Sequence, residues 1–351
     1  MKIAQIANIA ERVPPKKYGG TERVVYTLTE ELVKRGHDVT LFATADSITS
    51  AKLISVFPKS LREARVKDLY GYNLYSLLNM GTAYAHHKEF DIIHDHNPHM
   101  SLPLANVIST PTVMTWHGPY TPEVLNYFSK LNRSNFVSIS NSQAEPAKGV
   151  INLIGTVYNG LNMQDYPFSN QHDDYLLFVG RISKEKGVHI AIEVAARLKL
   201  PLIIAAKLDR VVPIDMQYFY RQISPRLKKY GSQIKWVGEV DEIERNKLMS
   251  RAKCFLHPIT WQEPFGLTLI ESMACGCPVV AFGKGSIPEV VSDGKTGFVV
   301  KYFEEMVDKI KHIGEIDRKY CRDYALTTFS GVRMATGYEK IYEKILNGKV
   351  A

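Results

Sequence analysis

No apolar run in the 351-residue chain approaches the ~18 residues needed to cross a bilayer, which argues against a helical membrane-spanning protein. Cysteine is scarce. Cys254, Cys275, Cys277 and Cys321 include a C-x-C but no paired C-x-x-C, so neither a zinc ribbon nor a disulfide framework is indicated, and reduced, mostly buried thiols are expected. The chain also has no tandem repeat and no low-complexity tract. It carries no G-x-G-x-x-G or Walker-type nucleotide fingerprint, and no G-x-S-x-G elbow that would support a Ser/His/Asp hydrolase. Basic residues are scattered and no aromatic-interleaved basic motif occurs, which argues against nucleic acid. Asn132-Arg133-Ser134 matches a glycosylation sequon, a triplet that arises often by chance, and nothing else in the sequence points to secretion.

What is present is an ordinary globular composition, 45% apolar and 23% charged. The start, MKIAQIANIA, reads as a first β-strand rather than a signal peptide, and a cytoplasmic location follows by default. The formal net charge of +8 would attract a phosphorylated substrate, an anionic membrane surface or nucleic acid, and charge alone does not choose among them.

The length favours two domains. Short apolar runs rich in β-branched residues alternate with helical stretches: Lys2–Ala7, Val39–Thr44, Ile92–His94, Thr112–Trp116 and Phe136–Ser140, then Tyr175–Gly180, Leu202–Ala206, Ile234–Gly238, Cys254–His257, Val279–Phe282 and Gly297–Val300. This alternation predicts parallel α/β sheets, and eleven strands are many for one of them. Polar residues gather from Asn159 to Asp174, where the hinge is expected. A first helix is expected to open at Thr21 as N-cap, with a Val24/Leu28/Leu32 stripe and a stop at Gly36. Residues Asp209–Tyr230 read as a longer connection with a helix, and the chain ends in helical pattern from about Gly331 to Leu346.

The most informative segment is HPITWQEPFGLTLIESMACGCP, residues 257–278. Pro264 pushes Glu263 out of helical dihedrals, while Leu267, Ile270 and Met273/Ala274 have helical spacing that stops at Gly276 and Pro278. One carboxylate, Glu263, therefore precedes a helix and the other, Glu271, lies about one turn inside it. Between them, the Phe265, Gly266 and Leu267 N–H groups at the helix start can bind a phosphate or a sugar oxygen. That arrangement suits a ligand that is anionic in the middle and hydroxylated at both ends, such as a nucleotide sugar. The plainer alternative is two acidic residues that favour the positive helix end and a solvated face.

Other candidates sit at predicted strand ends. Val179-Gly180-Arg181 closes a strand and Lys186-Gly187 follows at a helix start, so Arg181 and Lys186 together can neutralise a diphosphate and the charge that grows on it as a leaving group. Gly19-Gly20 before the first helix allows close approach of an anion or sugar, or is simply a flexible turn. His94, Asp95, His96 and His99 invite a metal reading, but His-x-His at a strand end is also common hydrogen-bonded structure, and no metal site is assigned. His117, in Thr115-Trp116-His117-Gly118, is better placed for a substrate hydroxyl.

With these pieces, the chain resembles the retaining glycosyltransferases of family four. The segments that carry the resemblance include PPKKYGGTERVV, DIIHDH, TWHG, VYNGLN, LLFVGRISKEKGVHIAI, PITWQEPFGLTLIESMACGCPVVAF and GSIPEVVSDGKTGFVV, in the family's order over nearly the whole length. The resemblance implies an α/β fold called GT-B, two Rossmann-like domains with parallel sheets facing across a cleft. Residues 1–165 would form the acceptor-binding domain and 166–330 the nucleotide-sugar domain, with a C-terminal helix, about 331–351, crossing back to the first.

It further implies Arg181 and Lys186 on the diphosphate, Glu271 on the ribose, Glu263 with the Phe265–Leu267 backbone on the sugar, and Gly19, Gly20 and His117 facing them from the first domain. The implied activity is hexose transfer from a nucleotide diphosphate sugar to a hydroxyl acceptor with retention, a UDP-sugar being the leading donor and a GDP-sugar the other candidate. No metal and no cofactor besides this co-substrate is implied, and retention is pictured as front-face attack without an enzyme nucleophile. Where many relatives carry a Gly-rich turn, this chain has Lys207-Leu208-Asp209-Arg210, where Lys207 adds a phosphate or base contact or is simply solvated.

The competing readings are an epimerase or phosphorylase on the same fold and a non-catalytic sugar-nucleotide-binding protein. Acceptor identity is not legible in the loops Arg62–Tyr84 and His96–Pro103, where Tyr70, Tyr72, Tyr75 and Tyr84 either stack on sugar or lipid-linked faces or pack a core. The basic balance permits peripheral docking on the inner face of the membrane, and oligomeric state is not legible at all.

Overall fold

The computed structural model describes residues 1–17, 19–66, 69–131, 133–210 and 212–348, so Asn132 of the sequon and residues 349–351 of the expected last helix lie outside it. Two compact units divide the chain: Met1–Asn162 with the segment from Ser330 onward, and Met163–Phe329.

The first unit holds a seven-stranded parallel sheet of β1 (Lys2–Ile6), β2 (Asp38–Phe42), β3 (Lys52–Ile54), β4 (Ile92–Asp95), β5 (Thr112–Thr115), β6 (Asn135–Ser138) and β7 (Leu153–Thr156), in the order β3-β2-β1-β4-β5-β6-β7. Two of these strands were not anticipated. β3 and β7 are the edges of the sheet, and their short KLI and LIGT runs are only partly buried, so they lack the apolar signal of inner strands such as β4. The core on one face gathers Ile6, Phe42, Ile93, Met114 and Phe136 against Met80, Leu102 and Phe128 from the covering helices.

The first helix, Gly20–Lys34, starts earlier than expected: Gly19 is its N-cap and Thr21 lies inside the first turn without capping it. Close packing explains the shift. A Cβ on Gly19 would sit 2.7 Å from Pro15 Cβ, so only glycine lets the chain enter the helix against that proline.

The second unit holds a six-stranded parallel sheet of β8 (Leu176–Arg181), β9 (Leu202–Lys207), β10 (Ile234–Gly238), β11 (Cys254–His257), β12 (Val279–Phe282) and β13 (Gly297–Val300), in the order β10-β9-β8-β11-β12-β13. The expected connection after β9 is a helical stretch in three pieces, Pro213–Tyr218, a π-helical turn Phe219–Ile223, and Ser224–Tyr230. All four cysteines are buried free thiols of this unit.

In both sheets the strand order reverses once, between β1 and β4 and between β8 and β11. Ligands of open α/β sheets bind beyond the carboxyl ends of the strands at such a switch point.

The last helix, Gly331–Leu346, returns to the first unit and packs on Gly20–Lys34. Gly160 permits its approach, since a Cβ there would lie 2.2 Å from the Ser330 carbonyl oxygen. Arg35 and His37 clamp Glu339 at 2.5 and 2.9 Å, and Tyr338 and Tyr342 are fully buried. Tyr342→Ala should therefore lower the stability of this unit by about 3–5 kcal/mol in urea unfolding; a loss below about 1 kcal/mol would show that the helix is not part of this core.

Candidate active site

At the switch point of the second unit, the loop after β8 and the loop after β11 are tied together first through their backbones. Thr260 N–H donates to the Glu185 carbonyl at 2.8 Å. Gly187, at φ 73°, passes so near Pro258 that a Cβ would stand 2.0 Å from its carbonyl oxygen. The third wall is Gly285-Ser286: Ser286 N–H donates to the Glu263 carbonyl at 2.9 Å, and its hydroxyl donates to the Phe265 carbonyl at 2.9 Å.

This scaffold brings Lys186 Nζ to 2.7 Å from Glu263 Oε2. Trp261 serves both partners, donating from Nε1 to Glu263 Oε2 at 2.9 Å and lying 4.7 Å beneath the Lys186 ammonium. His257 Nε2 stands 3.7 Å from the same carboxylate oxygen. Burial on its own would raise the Glu263 carboxyl, but the Lys186 ammonium and the His257 ring outweigh it and hold it below the ordinary carboxylate range. Burial keeps His257 itself below its ordinary value despite the carboxylate. Glu263 is thus a buried, ionised acceptor and not a proton donor at neutral pH.

Glu263 and Glu271 are both buried, which rules out the solvated-face alternative. Gly266, at φ 85°, is the N-cap of the helix Leu267–Ala274, and Glu271 lies one turn inside as expected. Its carboxylate meets Arg245 Nη2 at 2.9 Å. Arg181, at the end of β8, meets Glu185 at 2.8 Å and Asp215 at 3.4 Å. Lys207 is no simple surface charge: it ends β9, mostly buried, with Asp209 at 3.7 Å.

In the first unit, Gly20 begins a helix whose first turn carries the buried Glu22, pushed up to about 7 chiefly by burial. His117 lies just past β5, and its Nε2 is 3.0 Å from His96 Nδ1. From there a buried chain runs inward. His96 Nε2 meets Gln5 Oε1 at 3.0 Å, the Gln5 amide reaches the Tyr342 hydroxyl at 3.3 Å, and His94 joins Tyr342 at 2.7 Å and Thr115 at 2.8 Å. The His94–His96 pair is therefore hydrogen-bonded structure. His99 instead packs at a tilt against Trp116, and the described residues hold no cluster of three or more His, Cys, Asp or Glu set to bind a metal ion.

Sequence reasoning missed Trp261, Arg245, Asp215, Gln5 and the Gly285-Ser286 wall. Trp261 stands two residues from Glu263 and was within reach of the motif. Arg245 and Gln5 lie in helix and strand patterns with no local mark, and only the fold brings them to their partners.

A parallel sheet with charged and glycine-bearing loops gathered at its switch point is where α/β proteins bind their ligands. Residues 163–326 match the family described as glycosyl transferases group 1, and residues 18–161 match glycosyltransferase family 4. The chain belongs to these glycosyltransferases, and its two Rossmann-like parallel-sheet domains are those of the GT-B fold. It is 25% identical to spore coat protein SA of Bacillus subtilis over 98% of this chain and 100% of that protein. It is also 25% identical to phosphatidyl-myo-inositol mannosyltransferase of Mycobacterium tuberculosis over 86% of this chain and 82% of the relative. Among solved structures, Anabaena HepE in complex with UDP and glucose superposes with a TM-score of 0.73 at 20% identity, covering 98% of this chain and 100% of that one.

Burial holds His94, His96 and His117 below the ordinary histidine value, His117 at about 4. The unfolded chain binds protons near pH ~6.5 that these folded imidazoles refuse, so their contribution to stability is complete above that pH and is lost as pH drops toward about 4, while the raised Glu22 carboxyl acts in the opposite direction. His117→Gln removes one of these sites and should lessen that fall in urea-unfolding midpoints; an unchanged pH dependence would contradict the assignment.

Proposed function

We propose that the protein transfers a hexose from a nucleoside-diphosphate sugar to a hydroxyl acceptor with the anomeric configuration retained, a UDP-sugar being the leading donor and a GDP-sugar the other candidate. The observation that carries this reading is the Lys186–Glu263 pair, a cation and an ionised carboxylate 2.7 Å apart at the switch point, with Arg181 at the end of β8, where the chain leads into Lys186.

An entering diphosphate competes with Glu263 for Lys186 and with Glu185 and Asp215 for Arg181. Once Lys186 turns to phosphate, Glu263 is left with acceptor capacity for the hydroxyls of the sugar, beside the Phe265–Leu267 backbone at the helix start. Glu271, fixed by Arg245, accepts from the ribose.

In the reaction the bond from the anomeric carbon to the diphosphate oxygen breaks and a bond to the acceptor oxygen forms on the same face. The acceptor's proton passes to the departing phosphate oxygen. An ionised Glu263 cannot protonate that leaving group, so Arg181 and Lys186 stabilise the growing charge electrostatically and the scheme calls for no metal ion. The first unit supplies acceptor-side groups, with His117 on a substrate hydroxyl and Gly19-Gly20 allowing close approach. The complexes of the Anabaena structure with UDP and glucose support the donor class. The buried free cysteines support a reducing, cytoplasmic setting.

Arg181→Ala, Lys186→Ala and Glu263→Ala should each lower donor hydrolysis or transfer by about 10²–10³. Near-normal turnover in all three would reject these roles. A UDP-sugar should raise the thermal midpoint more than GDP- or ADP-sugars, and the anomeric configuration of the product, read by NMR, would contradict retention if inverted.

A further inference from the structure

Arg181 meets two carboxylates of different standing. Glu185 lies on the turn that follows β8, a third exposed, and the Ser183 hydroxyl also donates to it at 2.6 Å. Asp215 comes from a separate element, the first turn of the helix Pro213–Tyr218. Its side chain is only 5% exposed, and among the described residues no hydrogen bond reaches its buried Oδ2. The ion pair with Arg181 Nε, at 3.4 Å, is what that oxygen has.

An acidic residue in a first turn favours the positive helix end and commonly faces water. Asp215 faces inward instead. Burial raises its carboxyl above the ordinary value, against the pull of the Arg181 charge. A carboxylate kept out of water without a structural hydrogen bond on that oxygen marks a functional group more than a packing one.

The helix that carries Asp215 is itself fixed to the site. Tyr218, three residues on and on the same face, accepts the His189 N–H at 3.1 Å, and its hydroxyl meets His189 Nδ1 at 2.7 Å. His189 stands in the first turn of the helix Val188–Leu198, directly after Lys186-Gly187. Asp215 is thereby held in fixed relation to the loop of Lys186 as well as to Arg181. Lys207, level with Arg181 on the neighbouring strand β9, has Asp209 of its own loop at 3.7 Å.

We propose that Asp215 is a positioning residue, which holds the Nε edge of Arg181 while the two Nη groups turn to the diphosphate, so that the guanidinium is aimed as charge grows on the leaving group. Glu185, more exposed and already served by Ser183, is the carboxylate that gives way. The inference rests on the donor reading above, which assigns Arg181 to the diphosphate.

A positioning role separates binding from turnover, with UDP as the binding probe and UDP-glucose hydrolysis as the turnover assay. Asp215→Asn removes a negative charge beside an anion site, so calorimetry should find UDP bound at least as tightly as by the wild type, yet kcat should fall about tenfold. The thermal midpoint without ligand should stay near the wild-type value. In an Arg181→Ala background the same change should bring no further loss, because its effect runs through that side chain. Arg181→Lys, which keeps a cation but lacks the guanidinium Nε, tests the link from the other side even if Asp215→Asn does not fold. It should bind UDP and lose turnover by a similar factor.

Wild-type kcat in Asp215→Asn or in Arg181→Lys overturns the proposal. So does a loss that recurs in full in the Arg181→Ala background, or one in which UDP binding and the thermal midpoint fall together with kcat, since Asp215 would then act on the fold. Wild-type turnover in Arg181→Ala, or no binding of UDP by the wild type, removes the donor reading and this inference with it. An impaired Arg181→Ala beside a normal Asp215→Asn removes this inference alone.

Discussion

The second unit is organised around one buried ion pair, Lys186 with Glu263. Removing one partner of such a pair strands a buried charge at a cost of about 3–5 kcal/mol, so both loops must be held in register for either residue to be tolerated. That requirement explains their surroundings. β8 and β11 are neighbours although two strands and the helices around them separate them in sequence, Gly187 runs against Pro258 without a side chain, and Gly285-Ser286 grips the backbone of the Glu263 loop. The pair holds a carboxylate that cannot take up a proton near neutrality.

In the first unit the constraint is neutrality. Three imidazoles in contact, two of them buried, are stable together only uncharged, and Gln5, Thr115 and Tyr342 of the last helix supply their hydrogen-bond partners. The last helix therefore both closes the core of this unit and fixes the setting of His117 from behind. A substrate hydroxyl at His117 would meet a ring whose other nitrogen is already committed to His96.

Much of this was legible in the sequence because the signals were local. Apolar β-branched runs placed the inner strands, Pro264 set the loop before the helix, and the glycines at 187 and 266 mark turns that other residues fit poorly. What escaped was either weakly patterned or distant. The edge strands β3 and β7 bury too little to read as strands. The glycine that caps the first helix was legible only once Pro15 was seen packed on it. Arg245 looks like any helix-surface cation until β11 and its following helix bring Glu271 to it, and the sequence left Tyr70 and its neighbours open between an exposed face and a core, where the fold leaves Tyr70, Leu74, Leu77 and Leu78 exposed. Burial belongs to the fold and not to the residue type, and these are the positions where the two part.

A crystal structure of the protein with bound UDP tests the central claim most directly. The account predicts the diphosphate within hydrogen-bond reach of Lys186 Nζ and the Arg181 guanidinium, with the Lys186–Glu263 contact opened to admit it. A UDP bound elsewhere, with that contact still closed, would contradict it.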